Sequence, residues 1–377
     1  MGTNKQTAAV DAAAEDRIAR NVAGRKDYRD EVRALADQHQ YVVMYGCGTM
    51  LSSLVPGTWE CYVGRRIDFC CDRDPDKWGR TFAGLRCISP DELLAIGDRC
   101  TVFVTLGQFK PVLDWLTESG VASVNLIYRY DLSSAEFLAS RGDAELVSGL
   151  VAARRLLADE RSARVFDAIV ARAFGASSDC SIMMDVCEPD QYFPADVVEL
   201  SDHEHFVDAG AYNGDTVIDL VERTQARFDR ITCFELDRTN YEALVDTVRA
   251  LPCRDRIVIH NLGVWDAAAD ITYSADSLQS TIGVGDRRGR VVALDEALGD
   301  GPVSYIKMDI EGAELRGLRG AERLIRSQRP RLAICAYHRI RDLWELPLAI
   351  HELAPDYRIY LRHHTNLEYE TVCYAVA

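Results

Sequence analysis

Two acids flank a glycine turn in Asp208-Ala-Gly-Ala-Tyr-Asn-Gly-Asp-Thr216, which follows the apolar stretch Phe206-Val207. Gly210 and Gly214 let the backbone approach a ligand closely. Beside a pyrophosphate, Asp208 and Asp215 would be electrostatically costly. They suit a positively charged ligand, and the ammonium and sulfonium of S-adenosylmethionine meet that need better than NAD does. Glu235 closes the next apolar run, where a carboxylate can accept both hydroxyls of a ribose. Asn261-Leu-Gly263 follows the third run, where an adenine ring would lie. Each residue has a plain structural reading on its own. Their order on three successive strand ends favours function.

A third constellation is Ile306-Lys-Met-Asp-Ile-Glu-Gly-Ala-Glu314. Lys307, Asp309 and Glu311 alternate with apolar residues, so a persisting strand would put all three on one face. Charges on a buried strand are costly unless paired or functional. Glu314 opens a helix and can complement its dipole. The next strand ends in Ala336-Tyr-His338, which should bring His338 towards Asp309 and Glu311 at the ligand-facing edge of the sheet. Imidazole titrates near neutrality, which makes His338 the first choice of general base. Asp309 or Glu311 would orient or replace it, and Lys307 would neutralise the acids. Tyr212, Tyr337 and Trp344 are candidate pocket walls or core residues. A metal on Asp309, Glu311 and His338 is the minority reading, since these hard and nitrogen ligands follow no known spacing pattern.

These residues need a sheet to hold them. Short apolar runs at Tyr41–Tyr45, Ile67–Cys71, Thr101–Thr105 and Ser123–Ile127, with a helix over Phe109–Glu118, predict one parallel β/α unit. A second opens at His205–Asp208. It continues through Ile231–Glu235, Ile257–His260, Val303–Met308 and Arg331–Cys335. It ends in Tyr357–Leu361 and Thr371–Ala375, which should pair antiparallel because no helical spacer separates them. The fold class is therefore α/β with two Rossmann-like domains, the second a mostly parallel sheet closed by an antiparallel hairpin. The predicted organisation is a helical segment over 1–40, a Rossmann-like domain over 41–137, a helical linker over 138–190 and the second domain over 191–377. Met1 to Ala14 is small and polar and reads as frayed, with one or two helices over Asp16–Gln40. Arg287, Arg288 and Arg290 read as a solvated loop.

The first unit has its own glycine turn, Gly46-Cys-Gly-Thr-Met-Leu51, with Asp72 at the end of the next strand. This matches the start of a dinucleotide fingerprint, although Leu51 replaces the third glycine. A turn that merely joins strand to helix explains it about as well. Any ligand site there is expected to be separate from that of the second unit.

Composition bounds the rest. The 377 residues suffice for two domains, and 43 Lys and Arg against 59 Asp and Glu give a net charge of −16. Such a surface repels a phosphate backbone, which argues against nucleic acid as partner. The 12 cysteines include no Cys-x-x-Cys pair. They read as buried free thiols rather than zinc ligands or disulfides, which favours a cytoplasmic protein. No run reaches membrane-spanning length, so no membrane insertion is expected.

Phe206–Thr216, Phe234-Glu-Leu-Asp237 with Asn240, and Tyr305–Glu314 resemble the FkbM family of S-adenosylmethionine-dependent methyltransferases. So does the stretch from Pro330–His338 through Leu343-Trp-Glu-Leu-Pro347 to Tyr360-Leu-Arg-His-His364. The likeness runs from about Tyr192 to Ala377. It implies a class I methyltransferase fold and O-methylation of a sugar or small metabolite. It implies cofactor contacts from Asp208, Gly210, Ala211, Tyr212, Gly214, Asp215 and Thr216, and from Glu235 and Asp309; Asn261 and Gly263 join the candidate set by their place after the third run. In the first half, Tyr45-Gly-Cys-Gly48, Cys71–Gly79 and Ile88-Ser-Pro-Asp-Glu-Leu93 resemble the domain that binds a nucleotide-sugar in some sugar acyltransferases. The acyltransferase activity does not carry over, because no hexapeptide repeat follows.

The leading expectation is an S-adenosylmethionine-dependent O-methyltransferase acting on a small-molecule acceptor, a sugar or nucleotide-sugar among the candidates. One rival is an NAD(P)- or nucleotide-sugar-using enzyme centred on Gly46 and Gly48. Another is a sensor that binds cofactor without turnover. Oligomeric state is left open.

Overall fold

The computed structural model describes residues 3–24, 28–54, 59, 63–107, 109–126, 143–174, 181–273, 287–367 and 369–377. Two large sheets carry the fold. The first contains β1 (Tyr41–Tyr45), β2 (Phe69–Cys71), β3 (Thr81–Phe82), β4 (Leu85–Ile88), β5 (Cys100–Val104) and β6 (Ser123–Leu126). Their order is β3-β4-β2-β1-β5-β6, parallel except for the β3–β4 pair. Ile127 of the expected fourth strand and the 138–142 start of the expected linker lie outside the described residues.

The second sheet contains β7 (His205–Ala209), β8 (Arg230–Phe234) and β9 (Ile257–His260). A three-stranded side sheet follows, made of β10 (Gly263–Val264), β11 (Ala269–Tyr273) and β12 (Arg287–Val292). The main sheet resumes with β13 (Tyr305–Met308), β14 (Arg331–Cys335), β15 (Arg358–His363) and β16 (Thr371–Val376). Its order is β15-β16-β14-β13-β7-β8-β9, with β16 antiparallel to both β14 and β15. The chain reverses direction across the sheet between β7 and β13. In open α/β sheets, ligands bind at the carboxyl ends of strands flanking such a reversal.

The core explains these strands. Val207, Ile306, Met308, Leu332 and Ile334 fill one face, and Phe206, Ile231, Cys233, Tyr305 and Ala333 the other. Burial on both faces accounts for the near-continuous apolar runs.

Three sequence readings change. The N-terminus is helical from Thr3 to Ala23, and Ala14, Ile18 and Val22 are buried. Ile18 and Val22 join the core of the second sheet, while Val32 and Ala36 of the next helix join the first. Residues 1–40 are thus shared between the two sheets. Arg287–Val292 is a strand, not a loop, because Ala269–Tyr273 pairs with it antiparallel and Arg287 donates to Asp237 at 2.5 Å. Finally, β13 ends at Met308, so Lys307, Asp309 and Glu311 do not share a strand face.

The two halves touch through the β15–β16 hairpin. Leu367 is buried in the core of the first sheet, with Tyr369 against it. No helix among the described residues is long and apolar enough to cross a membrane. All described cysteines are free, and all but Cys187 are buried.

Candidate active site

The turn after β7 is shaped by its neighbours in the sheet. Gly210 has φ +80°, and a Cβ there would lie 1.8 Å from the carbonyl oxygen of Asp309. Only glycine fits, and the close approach is to the protein's own backbone. Gly214 has φ +90° and abuts Leu244 and Thr247. The amides of Gly210 and Ala211 donate to Phe234 O at 2.9 and 3.1 Å, which binds the turn to the end of β8.

Glu235 stands at that end. Its Oε2 accepts from Tyr212 N at 2.9 Å and its Oε1 from Asp237 N at 2.7 Å. Burial raises its pKa to about 7, against those two amides and Lys307. Asn261 donates its Nδ2 to Glu235 O and Leu236 O, at 2.9 and 3.1 Å, so it braces the strand end from behind.

Asp208 is fully buried beneath the turn and forms an ion pair with Lys307 Nζ at 2.9 Å. Lys307 also donates to Gly210 O at 2.6 Å. Lys307 therefore supports the glycine turn first. The expected neutralisation of the Asp309 cluster is only a part of its electrostatics. Burial pushes the Asp208 carboxyl up while Lys307 opposes the shift.

Asp309 is clasped by two tyrosines. Tyr192 Oη donates to its Oδ2 at 2.8 Å and Tyr337 Oη to its Oδ1 at 3.1 Å. Burial works to raise its pKa, but Lys307, His338 and both hydroxyls outweigh it, and the carboxyl stays below its ordinary value.

His338 does approach the acids. Its Nε2 lies 3.3 Å from Asp309 Oδ1 and 3.5 Å from Glu311 Oε2, and its Nδ1 lies 3.0 Å from Glu314 Oε1. Burial works to lower its pKa, yet Glu314, Asp309 and Glu311 prevail and carry it to about 10. That shift favours the protonated imidazole, a form that donates a proton and does not accept one. Glu314 does more than complement a helix dipole. It is fully buried, and its Oε1 also accepts from the amides of Ile310 and Gly312.

A cavity of about 560 Å³ opens above these residues. That volume falls in the range that encloses a cofactor-sized ligand. Of the expected site residues, Gly210, Tyr212, Asp215, Thr216, Glu235, Gly263, Lys307, Asp309 and Glu311 line it. Asp208, Ala211, Gly214, Asn261 and His338 are not on its wall. They lie beneath or beside it as supports. Phe234, Leu236, Val264 and Val291 give one part of the wall an apolar lining.

Several wall residues had no sequence signal. Gln191 and Tyr192 precede β7, Glu370 sits in the turn of the terminal hairpin, and Thr49 opens the helix that follows β1. Tyr192 (φ +68°), Tyr212 (φ +47°), Glu311 (φ +58°) and Glu370 (φ +66°) all hold a left-handed backbone. Non-glycine residues there cost of order 1–3 kcal/mol each and cluster at functional sites. Gln191 donates to Glu370. Burial raises the pKa of Glu370 to about 7, with Asp309 adding to the shift, and burial raises Glu311 to about 7 despite His338. Trp344 is a core residue, packed against Gly149.

The first glycine turn joins β1 to a helix over Thr49–Leu54, as its plain structural reading has it. Gly46 has φ +114°, and a Cβ there would meet Leu106 Cδ2 at 2.6 Å, so packing requires this glycine. Gly48 has open space and no such constraint. Asp72 Oδ2 accepts from Cys47 N at 2.9 Å and Lys77 Nζ at 2.8 Å, so its carboxylate braces the turn. Thr49, which follows the turn, lines the same cavity as Gly210 and Glu311, not a separate one.

Comparison with known proteins agrees with this architecture. The crystal structure of methyltransferase FkbM from Methylobacillus flagellatus KT superposes with a TM-score of 0.74 at 24% identity, over 97% of this chain and 98% of that one. At that identity the likeness speaks for the fold. Streptococcus pneumoniae Sp1610, described as a candidate tRNA (m1A22) methyltransferase, overlaps with a TM-score of 0.30 at 16% identity, over 47% of this chain and 64% of its own. A candidate rRNA-methylase of Clostridium thermocellum overlaps with a TM-score of 0.32 at 11% identity, over 48% and 90%. Overlaps this low carry no argument. No curated protein matches the sequence. Residues 208–367 match the methyltransferase FkbM family model, and they are the glycine turn, the Lys307–Glu314 segment and the His338 strand end just described. Residues 208–367 thus carry the match to the methyltransferase FkbM domain.

Proposed function

We propose that the cavity binds S-adenosylmethionine and that the protein methylates a hydroxyl of a small acceptor, of the sugar or small-metabolite class, in the cytoplasm. The observation that carries this reading is Glu235. Its two oxygens are held by backbone amides at the end of β8, beside a turn whose own side chains are acidic. These acceptors suit a ribose and a cationic ligand, and the apolar wall of Phe234, Leu236, Val264 and Val291 suits an adenine ring. The cofactor would supply an activated methyl group. The chain supplies position and a proton acceptor.

Alignment alone can contribute about 7–11 kcal/mol. For the proton, Glu311 is the better base than His338. It lines the cavity, and burial sets its pKa at about 7, where a base works best near neutral pH. The charged form of His338 stands behind it. Asp309, fixed by Tyr192 and Tyr337, orients that imidazolium. Thr49 and Glu370 extend the wall beyond the cofactor residues, which suits an acceptor site made by both halves of the chain.

A thermal-shift panel of S-adenosylmethionine, S-adenosylhomocysteine, NAD(H) and nucleotide-sugars tests the cofactor. A ligand that binds the folded state raises its melting temperature by mass action. Stabilisation by the two S-adenosyl compounds is expected. A response to NAD(H) alone would overturn the reading.

A further inference from the structure

Three thiols meet in the first sheet. The Sγ atoms of Cys47, Cys70 and Cys87 all lie within 4.8 Å of one another, and those of Cys47 and Cys87 are 3.5 Å apart. They come from three separate stretches of chain: the turn after β1, the middle of β2 and β4. Cys70 and Cys87 sit directly opposite each other on paired parallel strands, and Cys47 reaches the same face from the turn. All three are at most 6% exposed.

A buried cysteine usually needs no partner, since it packs as a small apolar side chain. Cys71 and Cys100 illustrate this on the opposite face of the same sheet. The convergence of three thiols is different. A d10 cation bound at about 2.3 Å from each sulfur holds the sulfurs roughly 3.8–4.0 Å apart. The 3.5 Å of the Cys47–Cys87 pair and the 4.8 Å limit on the others keep all three sulfurs within about 1 Å of that value or closer together, so an ion can be accepted with small side-chain movements. Three soft sulfur donors select zinc or copper(I) over magnesium, calcium or manganese.

We propose that Cys47, Cys70 and Cys87 form a trithiolate site for a soft d10 cation, with zinc(II) and copper(I) as its chemical class. Each thiol that becomes a ligand releases its proton to solvent on binding. In the protein as described, Cys70 donates to Leu85 O at 3.6 Å and Cys87 to Ile88 O at 3.8 Å, and these weak hydrogen bonds are given up. Three thiolates around zinc(II) leave one negative charge. The nearby Asp72 carboxylate, which accepts from Cys47 N, is itself neutralised by the Lys77 ammonium at 2.8 Å and so adds no net charge. A bound ion would tie the turn carrying Cys47 to β2 and β4. Thr49, two residues on, would then hold its place in the cavity wall.

The test uses the full chain, purified under reducing conditions and stripped with a chelator. Zinc(II), cobalt(II) as its spectroscopic substitute, and anaerobic copper(I) are titrated separately. One ion per chain is expected, with a sulfur-to-metal charge-transfer band, proton release and a raised melting temperature. Cys70→Ala and Cys87→Ala should each weaken binding by more than about a hundredfold, because each thiolate carries a share of the large binding free energy of structural metal sites. Cys100→Ala should leave it unchanged. Folding of each variant is checked by circular dichroism. Undiminished binding in folded Cys70→Ala and Cys87→Ala overturns the assignment. If those variants do not fold, the wild type decides: a cobalt(II) spectrum without sulfur charge transfer, or no bound ion, overturns it equally.

Discussion

The Nδ1 of His338 stands 3.0 Å from the Oε1 of Glu314, and both side chains are buried. With Asp309 and Glu311 at the other ring nitrogen, this pair favours the charged form of His338.

The pair has a signature in stability. His338 has its folded pKa raised to about 10. Its ordinary value is about 6.5. A raised value means stability fully present below pH about 6.5 and lost as pH climbs through about 10. Denaturant unfolding of the wild type should show this decline, and His338→Gln should flatten it. Removing the cation from the buried Glu314 and the half-buried Asp309 and Glu311 should destabilise the protein near neutral pH. Equal stability of the two proteins there would mean His338 is neutral.

Glu311→Gln should lower turnover by about two to four decades, with little change in S-adenosylhomocysteine affinity. A base works only when deprotonated. Wild-type turnover should therefore rise with pH through about 7 and then level off. Glu370→Gln, with a similar pKa but a more remote role, should retain most activity. Should turnover survive in Glu311→Gln and vanish in Glu370→Gln, the two roles are exchanged.

Glu235 and Asp208 should fail in different ways. Glu235→Ala removes hydrogen bonds to a charged group, worth about 1.5–3 kcal/mol, so calorimetry should find S-adenosylhomocysteine binding at least roughly tenfold weaker. Asp208→Ala leaves Lys307 buried without its 2.9 Å partner. Its main effect should be on folding, at about 3–5 kcal/mol. A stable Asp208→Ala protein with lost affinity would make Asp208 a direct ligand contact.

Thr49→Trp projects bulk into the shared wall. It should raise KM for the acceptor about tenfold or more, equivalent to about 1.4 kcal/mol, while cofactor affinity stays unchanged. Unaltered acceptor kinetics would place the acceptor elsewhere in the cavity.

Local pattern carried much of the fold. Ile257–His260 and Arg331–Cys335 form strands with the bounds their apolar runs imply, and the missing helical spacer before Thr371 correctly implied the antiparallel closure. These are properties of short stretches buried on two faces, and such burial is written in residue type. The approach of His338 to Asp309 and Glu311 was legible for a similar reason, because both strand ends open on one edge of a parallel sheet.

What local pattern could not carry depends on which distant residues share a volume. The sequence alone determined the glycine turn, the carboxylate ending β8 and the acid-rich segment after β13. Tertiary structure decided the direction in which the His338 pKa moves, since three carboxylates from separate backbone positions outweigh its burial. It decided that Asp208 faces Lys307 and not a ligand, that Arg287 lies in a strand, and that Thr49 and Glu370 join one wall. Charge state and exposure are set by everything within a few ångströms, and one-dimensional spacing does not record those neighbours.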